Sequence, residues 1–267
     1  MNNSTIETEY PEDTLLLDRR GENRVVEFMG INFAPIDDSV LLNRILEHIK
    51  NQENFGYFVN PNVDVVVKTH ANPLWQKLIN EAWLCVSDSR ILELLAKFSG
   101  ITLPACPGSS LVENIFENVL EPDEVVNIVG GDSELVEIVK QKYGLKNVNF
   151  YEPPMGLKDK PDEIEKCAKF LFENPARFHF LCVGNPQQMM VANAALKYKG
   201  MKGVALCVGA SLDFIGGRTK RAPELLQRLR LEWLFRLLSE PKRLWRRYLV
   251  EGPAIFKIWL DWRASRK

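Results

Sequence analysis

Along this chain, short continuous apolar runs alternate with stretches in which apolar residues recur every three or four positions. The runs GYFV, WLCV, VVNIV, VNFY, FHFLCV and VALCV read as strands, and a strand buried on both faces of a parallel sheet is apolar throughout. DDSVLLNRILEHIKNQ, NPLWQKLINEA, RILELLAKF, SSLVENIFENVL, SELVEIVKQKYG, PDEIEKCAKFLFEN and QQMMVANAALKY read as helices. Asp37 to Ser39 supply a cap for the first of these, and Asn72 caps the second, with Pro73 in its first turn. RVVEFMGINFAPI reads as a short strand pair ended by Gly30 and Pro35. Strands alternating with helices predict an α/β fold, a mostly parallel Rossmann-like sheet with right-handed crossovers and helices on its faces. Ligands of such sheets sit beyond the carboxyl ends of the strands.

Those ends carry Asn60-Pro61-Asn62, Ser87-Asp88-Ser89, Gly130-Gly131-Asp132, Gly184 to Gln188 and Gly209 to Asp213. Asp88 follows the apolar WLCVS, where solvation is partial; a carboxylate there is a candidate general base, or else the N-cap of the RILELLAKF helix. Asp213 has a similar ambiguity, its second reading being a turn residue that holds a glycine loop. Gly130 and Gly131 either bring backbone N–H groups to a ligand or make a tight turn. Neither GxGxxG nor GxxxxGK[ST] occurs, so the dinucleotide fingerprint and the P-loop are absent. No Asp-x-Asp stands at a strand end as a sugar-nucleotide metal site would need, so no metal and no cofactor is expected.

Charge divides the chain unevenly. From Arg218 onward there are fourteen Lys and Arg against five Asp and Glu, a net of +9, while the whole chain is −1. A basic segment of this kind seeks an anion: nucleic acid, a membrane surface or a phosphorylated substrate. Base-stacking motifs and further basic stretches are missing, which argues against nucleic acid. Cys85, Cys106, Cys167, Cys182 and Cys207 form no CxxC pair, and most lie in apolar runs, as buried thiols do. His48, His70 and His179 are too scattered for a zinc pattern. No apolar stretch reaches the roughly 18 residues of a membrane-spanning helix. The start, MNNSTIETEYPEDT, lacks the basic and apolar regions of a signal peptide, so a cytoplasmic protein is expected.

Beyond the strand ends, GASLDFIGGRTKRAPELLQRLRLEWLFRLLSEPKRLWRRYL resembles the C-terminal signature of the WecG/TagA/CpsF glycosyltransferases, the N-acetylmannosaminyltransferase-type family also numbered twenty-six. Asp213, Gly216, Arg221-Ala222-Pro223, Leu231-Glu232-Trp233, Arg236, Glu240-Pro241, Arg243 and Arg246-Arg247-Tyr248 carry the likeness. Upstream, Asn60-Pro61-Asn62 is similar to the family's Thr-x-Asn, Asp88 falls at its Asp-Gly, Gly108-Ser109 at its Gly-Ser-Asp, and Pro186-Gln187-Gln188 at its Pro-Lys-Gln-Glu. Asn60, Ser89, Ser110 and Met189 depart from that pattern.

The resemblance implies an inverting, metal-independent transferase that moves a sugar from a UDP-sugar donor to an undecaprenyl-diphosphate-linked saccharide at the inner membrane, in making a bacterial surface polysaccharide. It implies Asp88 as the base. It groups Asn60, Asn62, Gly108, Ser109, Gly130, Gly131, Gln188 and Asp213 with Arg236, Arg243 and Arg246 around the donor and its diphosphate. On this reading residues 1–24 are a flexible acidic tail, 25–217 the catalytic domain, and 218–267 a basic helical appendage that closes the site and meets the cytoplasmic face of the membrane. Arginine suits the leaving group, since guanidinium pairs with phosphate through two hydrogen bonds and keeps its charge. One unbroken helix would put Arg236, Arg243 and Arg246 on one face, but Pro241 is expected to split it. PAIFKIWLDWRASRK, with Trp259 and Trp262 among basic residues, fits either an interfacial amphipathic helix or a solvated basic face over a packed one. A non-catalytic family member that binds a nucleotide-sugar or lipid-linked intermediate as a regulator is the alternative function. A homo-oligomer is compatible with either.

Overall fold

The computed structural model describes residues 16–17, 24–51, 54–220, 222–223, 226 and 232–266. Much of the expected acidic tail, and Arg221 and Leu231 of the C-terminal signature, lie outside the described residues. A short antiparallel sheet opens the fold: β1 (Leu16–Leu17), β2 (Arg24–Phe28) and β3 (Ile31–Phe33). Met29 and Gly30 join β2 to β3, both at positive φ, which a two-residue type I′ turn requires. Side chains of the third helix brace this turn: Gln76 Nε2 and Asn80 Nδ2 donate to the Gly30 carbonyl at 2.8 and 3.0 Å.

The main sheet has six parallel strands in the order β5-β4-β9-β8-β6-β7: β4 (Gly56–Val59), β5 (Leu84–Cys85), β6 (Val125–Val129), β7 (Asn147–Tyr151), β8 (Phe178–Leu181) and β9 (Val204–Cys207). The apolar runs are apolar because both faces are covered, and alternate residues divide between two cores. Tyr57, Val59, Leu181, Ala205 and Cys207 enter one core, with Val65, Leu78, Leu92, Cys167 and Val191 from helices α2 (Val63–His70), α3 (Pro73–Asn80), α4 (Arg90–Lys97), α7 (Pro161–Glu173) and α8 (Gln187–Ala195). Phe58, Phe178, Phe180 and Leu206 enter the other, against Leu41, Ile115, Val139 and Leu212 of α1 (Asp38–Lys50), α5 (Gly108–Asn118), α6 (Ser133–Tyr143) and α9 (Ser211–Ile215). The expected Rossmann-like α/β arrangement is the one observed. Helix α2 was not legible: VDVVVKTH is a β-branched run of poor helix propensity, held helical by the Asn62 cap and by burial of Val65 and Val66.

The five cysteines are unpaired, four of them buried, and burial pushes the Cys167 thiol up to about 12. His179 is fully buried, its Nε2 3.1 Å from the Lys202 carbonyl and its Nδ1 2.9 Å from Asn127 Nδ2. Desolvation holds its pKa down to about 4, so the ring is neutral, donating from Nε2 and accepting at Nδ1.

The chain after the sheet forms α10 (Glu232–Ser239), α11 (Pro241–Trp245), a π-helical turn (Arg246–Glu251) and α12 (Ala254–Ser265). Pro241 breaks the helix as expected and starts the next. Helix α12 buries Ile255 and Ile258 in the core that holds Val65 and Leu92. Its tryptophans turn toward the protein: Trp259 Nε1 donates to Ser99 Oγ at 2.8 Å, and Trp262 Nε1 to the Glu27 carboxylate at 3.0 Å. Trp262 also meets Phe28 edge to face, with ring centroids 5.0 Å apart. Among the described residues, no helix is long and apolar enough to cross a membrane.

Candidate active site

Three consecutive residues after β4 and two after β5 build the centre of the carboxyl end. Ser89, rather than Asp88, caps α4: its Oγ accepts the N–H groups of Ile91 and Leu92 at 3.2 and 3.4 Å. The helix-cap reading of Asp88 is thereby corrected, and the serine that replaces the family's glycine has a structural task. Asp88 reaches across to α5 instead. Its Oδ1 accepts the Gly108 N–H at 2.9 Å and the Asn60 amide at 3.2 Å, while its own N–H donates to the Pro61 carbonyl at 3.1 Å. A half-buried carboxylate is thus fixed at the N-terminus of an eleven-residue helix, where free N–H groups favour negative charge. A Cβ on Gly108 would stand 2.4 Å from Asn60 Nδ2, so only glycine leaves that amide where it meets Asp88. Ser109, the next residue of α5, is half-buried beside it.

Asn62 Oδ1 caps α2 through the Val65 N–H at 3.2 Å. Gln188 is buried and internally satisfied. Its Nε2 donates to Asn185 Oδ1 and the Cys207 carbonyl at 3.2 and 2.9 Å, and its Oε1 accepts the Gly209 N–H at 3.0 Å. It therefore ties the start of α8 to the end of β9, and shapes the cleft lined by Asn60, Pro61, Asn185 and Met189. A larger cleft opens at the other end of the sheet, lined by His48, Val125, Arg177 and Gly203. It sits at the amino ends of the strands, away from Asp88, and volume alone does not give it chemistry.

Farther along the carboxyl edge, Gly130 and Gly131 turn the chain from β6 into α6 at φ of +93° and +80°. A Cβ on Gly130 would lie 2.8 Å from the backbone of Cys182. Asp132 caps α6 through the Leu135 N–H at 2.9 Å, and Arg218 spans Asp132 and Glu134, its Nη2 2.9 Å and 2.7 Å from the two carboxylates. The Arg218 hydrogen bond pulls the Asp132 carboxyl down to about 2. Asp213, half-buried on α9, is pushed up by desolvation, opposed by the charges of Arg218 and Arg243 and reinforced by those of Asp132 and Glu240.

The three predicted arginines have different surroundings. Arg236 lies with its guanidinium 5.1 Å from the Phe214 ring centroid, and its Nε is buried without a hydrogen-bond partner. Arg243 is exposed and forked onto Glu240, with Nε–Oε2 at 2.6 Å and Nη2–Oε1 at 2.9 Å. Arg246 is exposed. Sequence reasoning did not single out the two arginines with the clearest contacts to the strand-end loops. Arg218 covers the Gly130-Gly131 turn, and Arg247 donates from Nη2 to Asn62 Oδ1 at 3.2 Å. Arg247 stood inside the Arg-Arg-Tyr triplet, but only the π-helical turn reveals that it faces the N-terminus of α2. Among the described residues, no three His, Cys, Asp or Glu side chains gather as a metal site would need.

The arrangement offers an oriented carboxylate at the carboxyl end of the sheet and an arginine-bearing helical segment docked against the adjoining loop. It can accept a proton from one group and neutralise an anion on another. The sequence profile described as "Glycosyl transferase WecG/TagA/CpsF family" matches residues 26–267. The N-acetylglucosaminyldiphosphoundecaprenol N-acetyl-beta-D-mannosaminyltransferase of Bacillus spizizenii is 26% identical over 247 residues, covering 89% of this chain and 93% of that protein.

Proposed function

Because the chain belongs to the WecG/TagA/CpsF family of glycosyl transferases, we propose that it moves a sugar from a UDP-sugar to a saccharide carried on undecaprenyl diphosphate, with inversion and without a metal, in polysaccharide biosynthesis. The observation that carries this reading is the Asp88 carboxylate, oriented by Asn60 and Gly108 at the end of the sheet where α/β folds bind ligands. The printed name of the Bacillus relative supports a lipid-diphosphate-linked acceptor. Asp88 takes the proton of the acceptor hydroxyl, and the freed oxygen attacks the anomeric carbon from the face opposite the diphosphate. The bond from that carbon to the diphosphate oxygen breaks, and its electron pair leaves on UDP. Arg236, whose buried Nε has no hydrogen-bond partner among the described residues, supplies a donor for that charge. Arg243 and Arg246 join it once Arg243 exchanges Glu240 for phosphate.

The outer side of the C-terminal helices supports docking on the cytoplasmic membrane face. Trp245, Leu249, Val250, Phe256 and Leu260 are exposed there, interspersed with Lys242, Arg246, Lys257 and Arg263. The reaction is tested by a UDP-release screen over several UDP-sugars with a lipid-diphosphate-linked saccharide acceptor, followed by NMR of the product linkage. Release that depends on acceptor, with inverted configuration, supports the proposal. Tight binding of donor without any release overturns it in favour of a non-catalytic role.

A further inference from the structure

Arg247 stands where two parts of the molecule meet. It projects from the π-helical turn onto the N-terminus of α2, its Nη2 3.2 Å from Asn62 Oδ1 and its Nε 3.4 Å from Asp64 Oδ2. Lys68 Nζ lies 2.9 Å from both Asp64 oxygens, the one facing Arg247 included, so Asp64 is held in place for this contact. Asn62 ends the loop Asn60-Pro61-Asn62, and that loop holds Asp88 twice, by the Asn60 amide on Oδ1 and by the Pro61 carbonyl on the Asp88 N–H. Three residues thus separate a guanidinium of the C-terminal helices from the candidate base. The Arg247 Nε is itself buried and faces Asp64, so this end of the side chain lies in the crevice rather than in solvent.

We infer that Arg247 is a positioning residue: through Asn62 and Asp64 it couples docking of the C-terminal helices to the geometry of Asp88. The inference rests on Asp88 being the base. With the helices docked, Arg247 fixes Asn62, the loop is ordered, and the Asn60 amide holds the carboxylate toward the acceptor. With the helices displaced, the loop loses that restraint, and Asp88 loses part of its orientation. Proton transfer is thereby confined to the state in which the other arginines are also beside the cleft, which limits futile attack by water.

The test uses the full-length chain with Arg247→Ala, Arg247→Lys and Asp64→Asn. Hydrogen exchange at the Asn60 and Asn62 amides, melting temperature, kcat, both KM values and the pH profile of kcat are measured. In Arg247→Ala, exchange at those amides is expected to rise and kcat to fall by about tenfold to a hundredfold, as misplacement of a reacting group does. Both KM values should stay within about twofold. The acid limb of the kcat profile should shift, because the donors on Asp88 are loosened. Asp64→Asn should show the same pattern more weakly, and Arg247→Lys should recover part of kcat. A folded Arg247→Ala variant with unchanged exchange at Asn60 and Asn62, or with normal kcat, overturns the inference. So does a raised donor KM with unchanged kcat, which would make Arg247 a ligand of the donor. If Asp88→Asn turns over normally, it is the base assignment that fails, and the exchange data still decide whether Arg247 orders the loop.

Discussion

The Asp88 carboxylate accepts the backbone N–H of Gly108 at 2.9 Å, and the same glycine leaves the space that the Asn60 amide needs to reach that carboxylate. The proposed base and the first residue of α5 are therefore one unit. Gly108→Ala should push the Asn60 amide away and lower turnover by about tenfold or more, since a small misplacement near reacting atoms is costly. Turnover and a thermal melt read together check this. Normal turnover in a folded variant would show that Asn60 does not orient the base.

Asp88→Asn should keep the fold and abolish most transfer, because the amide cannot accept the proton, with a loss on the order of a hundredfold or more. Burst kinetics with a soluble acceptor analogue, beside the melting curve, decide it.

Chelation should leave transfer largely intact, since the leaving diphosphate is assigned to arginine. The assay is UDP release in EDTA and then with magnesium or manganese restored. Loss on chelation and recovery with metal would contradict the assignment.

Stability should fall with acid in a window set by His179. Its folded pKa lies near 4, below the ordinary 6.5, so the unfolded chain binds the proton first. The contribution is complete above pH 6.5 and is lost as pH falls toward 4, by up to about 3 kcal/mol. Chemical denaturation of the wild type and His179→Gln across that range should give a steeper fall for the wild type. Equal slopes would remove His179 as the cause.

The outward and inward faces of α12 should separate in mutagenesis. Phe256→Ser with Leu260→Ser should weaken binding to anionic liposomes while the melting temperature holds. Trp262→Ala should do the reverse, costing about 2 kcal/mol of stability through lost packing on Phe28 and a lost hydrogen bond to Glu27. Liposome co-sedimentation and melting on the same samples check both.

The sheet was legible because its strands are apolar runs of the right length, with some helices announced by a cap such as Asp37 or Asn72. Asp88 was legible as a strand-end carboxylate, but its partner was not. Nothing in the spacing tells that Ser89 takes the cap, or that Gly108, twenty residues on, supplies the N–H. The tail offered two readings, and for Trp259 and Trp262 the packed one holds; spacing could not choose between them, for a related reason. Amphipathic composition tells that one face is apolar, whereas the edge of a hairpin far back in the chain decides what covers it. Likewise, the resemblance drew attention to Arg236, Arg243 and Arg246, but the π-helical turn brings Arg247 onto the N-terminus of α2.

The contact between Trp262 and Glu27 joins residues 235 positions apart. A hairpin of sequence neighbours such as β2–β3 is expected to form early in folding, with its Phe28 edge wet until α12 arrives. Such distant closure is slow, because the chain's entropy must be spent before the contact rewards it. Docking of α12 is thus expected as a late step. Until then the nascent molecule exposes an aromatic edge to which a chaperone, or another unfinished copy, can bind.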